Sequence, residues 1–202
     1  MATTISSGRA NSPKKLANIA DHGVIYGGRG LVFDGVVDYA NCGEGGGVFD
    51  VDDITLSAWV YPTSSVGSNG VKIFEKEGSG YSGFWLALIS LKLDFFGAPS
   101  GGVASSSALT INTWSHIAVT FLDSSNLTSF YINGSLDNTS SGVTSITSND
   151  ENFIIGCRNA DRDFYEGKIS DAKFFNTALT EAQIQELYLK PEQSAPSAVR
   201  DN

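Results

Sequence analysis

Trp114–Leu136 reads WSHIAVTFLDSSNLTSFYINGSL, two alternating runs joined by polar turns. Ser115, Ile117, Val119 and Phe121 alternate with Trp114, His116, Ala118 and Thr120. A period of two puts each set on its own face of a strand. Further on, Asn133-Gly134 sits between FYI and SL. Both residues tolerate positive φ, so the pair predicts a two-residue hairpin of type I′. Strand, turn, strand, tight turn, strand is the grammar of an antiparallel sheet.

Outward from there the grammar repeats. In Asp53–Pro62 (DITLSAWVYP), Ile54, Leu56, Ala58 and Val60 share one face, and Thr55, Ser57, Trp59 and Tyr61 the other. Both sets hold apolar residues, which predicts a central strand with one face in the core and one partly covered. Gly80–Ile89, Leu91–Phe96, Gly142–Thr147, Asn152–Gly156 and Gly167–Asn176 supply further predicted strands between Gly, Ser and Asn turns. Strands at this spacing without intervening helices imply a two-sheet sandwich. One helix is predicted, Glu181–Leu189. Thr180 and Gln183 have capping-box spacing, Ile184, Leu187 and Tyr188 form an apolar stripe, and Pro191 stops it. The fold class is therefore all-β, a two-sheet antiparallel sandwich with one short C-terminal helix. Residues 1–29 lack any sustained period and read as an N-terminal arm, residues 30–190 as the domain, and residues 191–202 as a tail.

Composition agrees. The 202 residues include 22 Gly, and only 17% are charged, a balance suited to a turn-rich all-β chain of one domain. The net charge of −9 opposes nucleic-acid binding, because an acidic surface repels phosphate. No apolar run reaches membrane-spanning length, which predicts no membrane insertion. The opening MATTISSGRANSPKK has no hydrophobic leader region. Cys42 and Cys157 are too few for a disulfide framework, and two free, mostly buried thiols are expected rather than one bridge.

Five blocks in order carry a resemblance: Gly30–Ala40 (GLVFDGVVDYA), Asp53–Pro62, Trp114–Phe121, Ser129–Leu136 and Phe164–Tyr188 (FYEGKISDAKFFNTALTEAQIQELY). Their order and spacing resemble the laminin-G-like, concanavalin-A-like jelly roll, in its pentraxin-like branch, from about Gly30 to Tyr188. The resemblance implies surface recognition rather than catalysis, and in many members a calcium ion at the sandwich rim. Asp34, Asp38 and Asp171 are the corresponding calcium candidates. The family commonly has Asp-Glu where this chain has Ser170-Asp171. Read alone, Asp34 caps the turn at Gly35 and Asp38 faces solvent. A second acidic cluster, FDVDD at Phe49–Asp53, lacks the glycine and distal Glu of an EF-hand loop.

Glycoside hydrolysis needs two carboxyls flanking one bond. No Glu-x-Asp-x-x-Glu array is read, His22 and His116 have no partner at motif spacing, and no GxSxG elbow occurs. The expectation is a protein that is not an enzyme. For a sugar, the loop candidates are Tyr81 and Tyr165 as stacking rings, with Asp161, Arg162 and Asp163 as hydroxyl partners. Trp59, Trp85 and Trp114 fall inside strands and read as packing residues. The Asn-x-Ser/Thr triplets at Asn126, Asn133 and Asn138 are expected by chance in so Ser-, Thr- and Asn-rich a chain.

The functional expectation is a recognition or decorating module on a virion surface, as a phage head or tail accessory, with glycan adhesion. Its arm would tie it to a large assembly or swap between copies in a homo-oligomer. The alternative is a soluble or extracellular carbohydrate-binding lectin, assisted by calcium.

Overall fold

A computed structural model describes residues 30–44, 47–64, 70–78 and 82–191. The expected arm (1–29), almost all of the tail (192–202), His22 and Tyr81 lie outside the described residues. Among the described residues, twelve strands form two antiparallel six-stranded sheets. The first holds, in spatial order, β1 (Leu31–Asp34), β12 (Glu166–Phe175), β3 (Ile54–Pro62), β8 (Ser115–Leu122), β9 (Leu127–Ile132) and β10 (Ser135–Ser140). The second holds β2 (Ala40–Asn41), β11 (Ile154–Ile155), β4 (Val71–Gly78), β5 (Ser82–Ile89), β6 (Lys92–Gly97) and β7 (Gly101–Ala108).

The core lies between the sheets. Leu56, Val60, Ile117 and Val119 of the first meet Ile73, Phe84, Leu86 and Phe95 of the second, each with no more than 1% exposure. The β9–β10 hairpin turns at Asn133 (φ 52°) and Gly134 (φ 76°), as its sequence predicts. The helix α1 spans Glu181–Leu189 with its capping box formed: Thr180 Oγ1 accepts the Gln183 N–H and Gln183 Oε1 accepts the Thr180 N–H. No helix among the described residues is long and apolar enough to cross a membrane.

Two strands and one loop differ from expectation. β4 was not foreseen because VKIFEKEG carries four charged residues, three of them at 1–3% exposure. β7 was missed because GGVASSSA lacks the bulky side chains that mark strands. Residues 142–147, expected as a strand, join no ladder; the segment crosses one end of the sandwich. There Thr147 donates its N–H to the Ala98 carbonyl and its own carbonyl accepts from Gly83. Both cysteines are free, but Cys42 is exposed, against the expectation of a buried thiol, while Cys157 is fully buried.

The two outer faces are treated differently. Ile184, Leu187 and Tyr188 of α1, all at 0% exposure, close the outer face of the first sheet over Trp59, Ala118 and Tyr131. No described helix lies on the outer face of the second sheet.

Candidate functional site

Alternation places Lys72, Glu75 and Glu77 of β4, Trp85 of β5, Lys92, Asp94 and Phe96 of β6, and Gly102 and Ala104 of β7 on that outer face of the second sheet. Trp85 and Phe96 are direct cross-strand partners, and their rings stack with centroids 3.8 Å apart and planes 2° from parallel. Lys72 Nζ lies 4.2 Å from the Trp85 centroid. Cation and ring attract through the ring quadrupole. The groups therefore stand in a row across the strands, ammonium, indole and phenyl.

A charged frame holds this row. Arg158 forms a two-pronged pair with Glu77, Nη2 to Oε1 and Nε to Oε2, both at 2.7 Å. Its guanidinium also sits 5.7 Å from the Trp85 centroid and 3.9 Å from Asp163 Oδ2. Glu75, 1% exposed, accepts the N–H groups of Glu77 and Asn159. Burial pushes its carboxyl up to about 7 against those hydrogen bonds. Burial likewise raises Asp94, opposed by the Lys72 charge, and lowers Lys72, opposed by Asp163.

The loop between β11 and β12 delivers part of the expected sugar site here. Arg158 and Arg162 pair backbone to backbone, and the Asp163 carbonyl accepts the Lys72 N–H at 3.0 Å. Asp163 thereby joins the face. Asp161 and Arg162 stay exposed beside it, 3.8 Å apart. Tyr165 does not join them: at 1% exposure its ring packs edge-on against Phe33 in the core, so it offers no stacking surface to a ligand. β12 begins at the next residue, and alternation turns Tyr165 inward.

The calcium candidates do not converge. Asp34 Oδ1 accepts the N–H groups of Val36, Val37 and Asp38, which hold its carboxyl below the usual range, and Asp38 Oδ2 accepts the Asp34 N–H. This is a turn closing on itself. In the β1–β12 register Asp34 faces Glu166, so Asp171 is five residues further along, roughly 16 Å away. Asp171 pairs instead with Lys173, on the rim of a 340 Å³ cavity whose other walls include Leu31, Phe33, Ile155 and Ile169. Apolar walls do not supply the six to eight oxygens calcium takes. Among the described residues no three His, Cys, Asp or Glu gather as a metal site.

Two features escaped the sequence reading. Trp85, read as packing, is only partly buried on the outer face, whereas Trp59 is sealed under α1. Glu75 and Glu77 are carboxyls at i, i+2 on one strand face, a pair the sequence reading did not single out. Both are occupied by internal bonds, as described. Ser57 Oγ and His116 Nε2 also meet, at 2.9 Å, but each is 1% exposed beneath α1 and closed to a substrate.

The fold has many solved counterparts. A native heptameric SAP-like pentraxin from Limulus polyphemus matches with a TM-score of 0.59 at 17% identity, over 78% of this chain and 80% of that one. A putative carbohydrate-binding protein from Bacteroides ovatus matches at 0.61 and 19% identity, over 82% of this chain but only 50% of its own. Domain 4 of the extracellular arabinanase AbnA from Geobacillus stearothermophilus, in complex with arabinotriose, matches at 0.54 and 17% identity over 68% of each. At such identities the likeness is one of fold. No curated protein matches the chain. A family model does, over residues 34–185: the chain belongs to the concanavalin A-like lectin/glucanase superfamily, as a laminin-G-type domain.

Proposed function

We propose that this protein is a carbohydrate-binding module without catalytic activity, and that the outer face of the second sheet is its binding surface. The Trp85–Phe96 ring stack carries the reading. Stacked aromatics on a partly buried, polar-framed face suit the apolar CH faces of sugars, while neighbouring carboxylates accept hydroxyls. The names of two structural counterparts, one a putative carbohydrate-binding protein and one bound to arabinotriose, support it. Glu75 and Glu77 do not form a hydrolytic pair in this reading, because backbone N–H groups and Arg158 already occupy them.

Attachment to a virion or other large assembly through residues 1–29 is supported by the sequence alone, since those residues lie outside the described ones. An oligomeric pentraxin among the counterparts supports a homo-oligomer in the same limited way.

The test is a panel of immobilised oligosaccharides probed with the full chain, followed by product analysis of every sugar that binds. Retention without cleavage is expected. Cleavage lost in Glu75→Gln would overturn the non-catalytic assignment, and retention unaffected by Trp85→Ala would move the surface elsewhere.

A further inference from the structure

Of the two stacked rings, only one has a face to give. Trp85 is flanked by Phe96 on one side and by Lys72, itself 3% exposed, on the other. The far face of Phe96 looks toward β7, the edge strand of the sheet, where its cross-strand partner is Gly102. Gly102 is exposed and has no side chain, and the next outward residue is the small Ala104. Neighbouring strands are about 4.8 Å apart, so a ring lying at van der Waals distance on Phe96 would sit directly above Gly102. A Cβ at position 102 would stand 3.7 Å from Phe96 Cδ2 and 3.3 Å from Asp94 Oδ1. Phenyl face, bare backbone and carboxylate therefore border one open shelf.

Charge narrows what the shelf takes. Asp94, the charged group beside it, is ordinarily an acceptor of hydrogen bonds. Lys72 is buried and Arg158 is held by Glu77, so neither reaches out to an acidic ligand. Lys92, exposed, is two residues from Asp94 and four from Phe96 along β6, about 7 Å and about 13 Å away, and its charge acts on the Asp137 carboxylate. Building on the carbohydrate-binding reading, we propose that the Phe96–Gly102–Asp94 shelf is the sugar subsite, and that its ligand is a neutral saccharide. The sugar lays a CH face on Phe96 and donates hydroxyls to Asp94.

Gly102 is the residue to change. Its φ lies outside the left-handed region, so a side chain there adds no backbone strain, and the tightest contact a Cβ makes is with the Asp94 carboxylate. The experiment is isothermal titration of the full chain with cellotetraose, xylotetraose, mannotetraose, arabinotriose and tetragalacturonate. Wild type, Gly102→Val, Gly102→Ala, Phe96→Tyr and Asp94→Asn are compared, with thermal unfolding as the folding check. At least one neutral sugar is expected to bind. Gly102→Val should weaken it tenfold or more, Asp94→Asn several-fold, and Phe96→Tyr should retain it. If Gly102→Val does not fold, a several-fold loss in Gly102→Ala carries the same meaning. A neutral sugar bound equally well by the Gly102 variants would overturn the shelf while leaving the carbohydrate-binding reading intact. Preference for tetragalacturonate would overturn the neutral class. Failure of all five sugars to bind would overturn the carbohydrate-binding reading itself, and the shelf with it.

Discussion

Tyr188 of the helix lies over Trp59 of β3, ring centroids 5.5 Å apart and planes 26° from parallel. The contact closes one outer face of the sandwich. The contrast with Trp85, equally outward on its own sheet but backed by a cation and a phenyl ring, underlies the proposal that recognition falls on the other face. Burial of the tyrosine is a matter of stability, whereas the second stack is the proposed binding surface.

Removing that cover should therefore cost stability alone. Tyr188→Ala is expected to destabilise by about 3–5 kcal/mol in urea unfolding, as for other large aromatic truncations. Leu189→Ala, at a position 39% exposed, should change it by less than about 1 kcal/mol. Oligosaccharide affinity measured well below the unfolding midpoint should be the same in both.

Gly134 couples the hairpin to the same helix. It has φ 76°, and a Cβ there would stand 2.8 Å from Tyr188 Cδ1. Gly134→Ala should destabilise by about 1–2 kcal/mol from backbone strain alone, more with the clash. An unchanged unfolding midpoint would contradict the geometry.

Glu75 makes stability depend on pH. Its carboxyl is raised in the folded state from 4.5 to about 7, so the folded chain binds more protons than the unfolded one between those values. Stability from this group is greatest below about pH 4.5, falls as pH rises toward 7, and is level above that, a swing on the order of 3 kcal/mol. Glu75→Gln should remove this slope from urea midpoints measured between pH 5 and 8. A wild-type and variant difference constant across that range would rule out the assignment.

The cysteines separate by access. Cys42 is exposed, whereas Cys157 is fully buried and its thiol is pushed up to about 11. The folded protein should release one equivalent of thiol to Ellman's reagent quickly, and the second only on denaturation.

These features were unequally legible in the sequence. Alternation in Ile54–Tyr61 and Trp114–Phe121, the Asn133-Gly134 turn and the Thr180–Gln183 cap are local signals, and each element formed where expected. The proposed binding face was not legible, because it depends on where the one long helix among the described residues packs. Alternation marked Trp59 as outward, but only the tertiary fold lays a helix there. β4 was hidden because Lys72 and Glu75 satisfy their charges with partners far along the chain, Lys72 over Trp85 and Glu75 on the Asn159 N–H. Tyr165 was misplaced because, although it is a loop residue, it directly precedes β12 and its ring already points inward onto Phe33. Asp34 and Asp171, set side by side by resemblance, are held apart by the antiparallel register.

The outer face of the second sheet is the proposed sugar-binding surface. The most direct test of this is a two-dimensional amide and indole NMR titration with the best-retained oligosaccharide of the panel. Saturable shifts should cluster at Trp85, Asp94, Phe96 and Gly102, while Trp59 and the helix do not move. Saturable shifts confined to the opposite sheet, or to the Asp34–Asp38 turn, would contradict it.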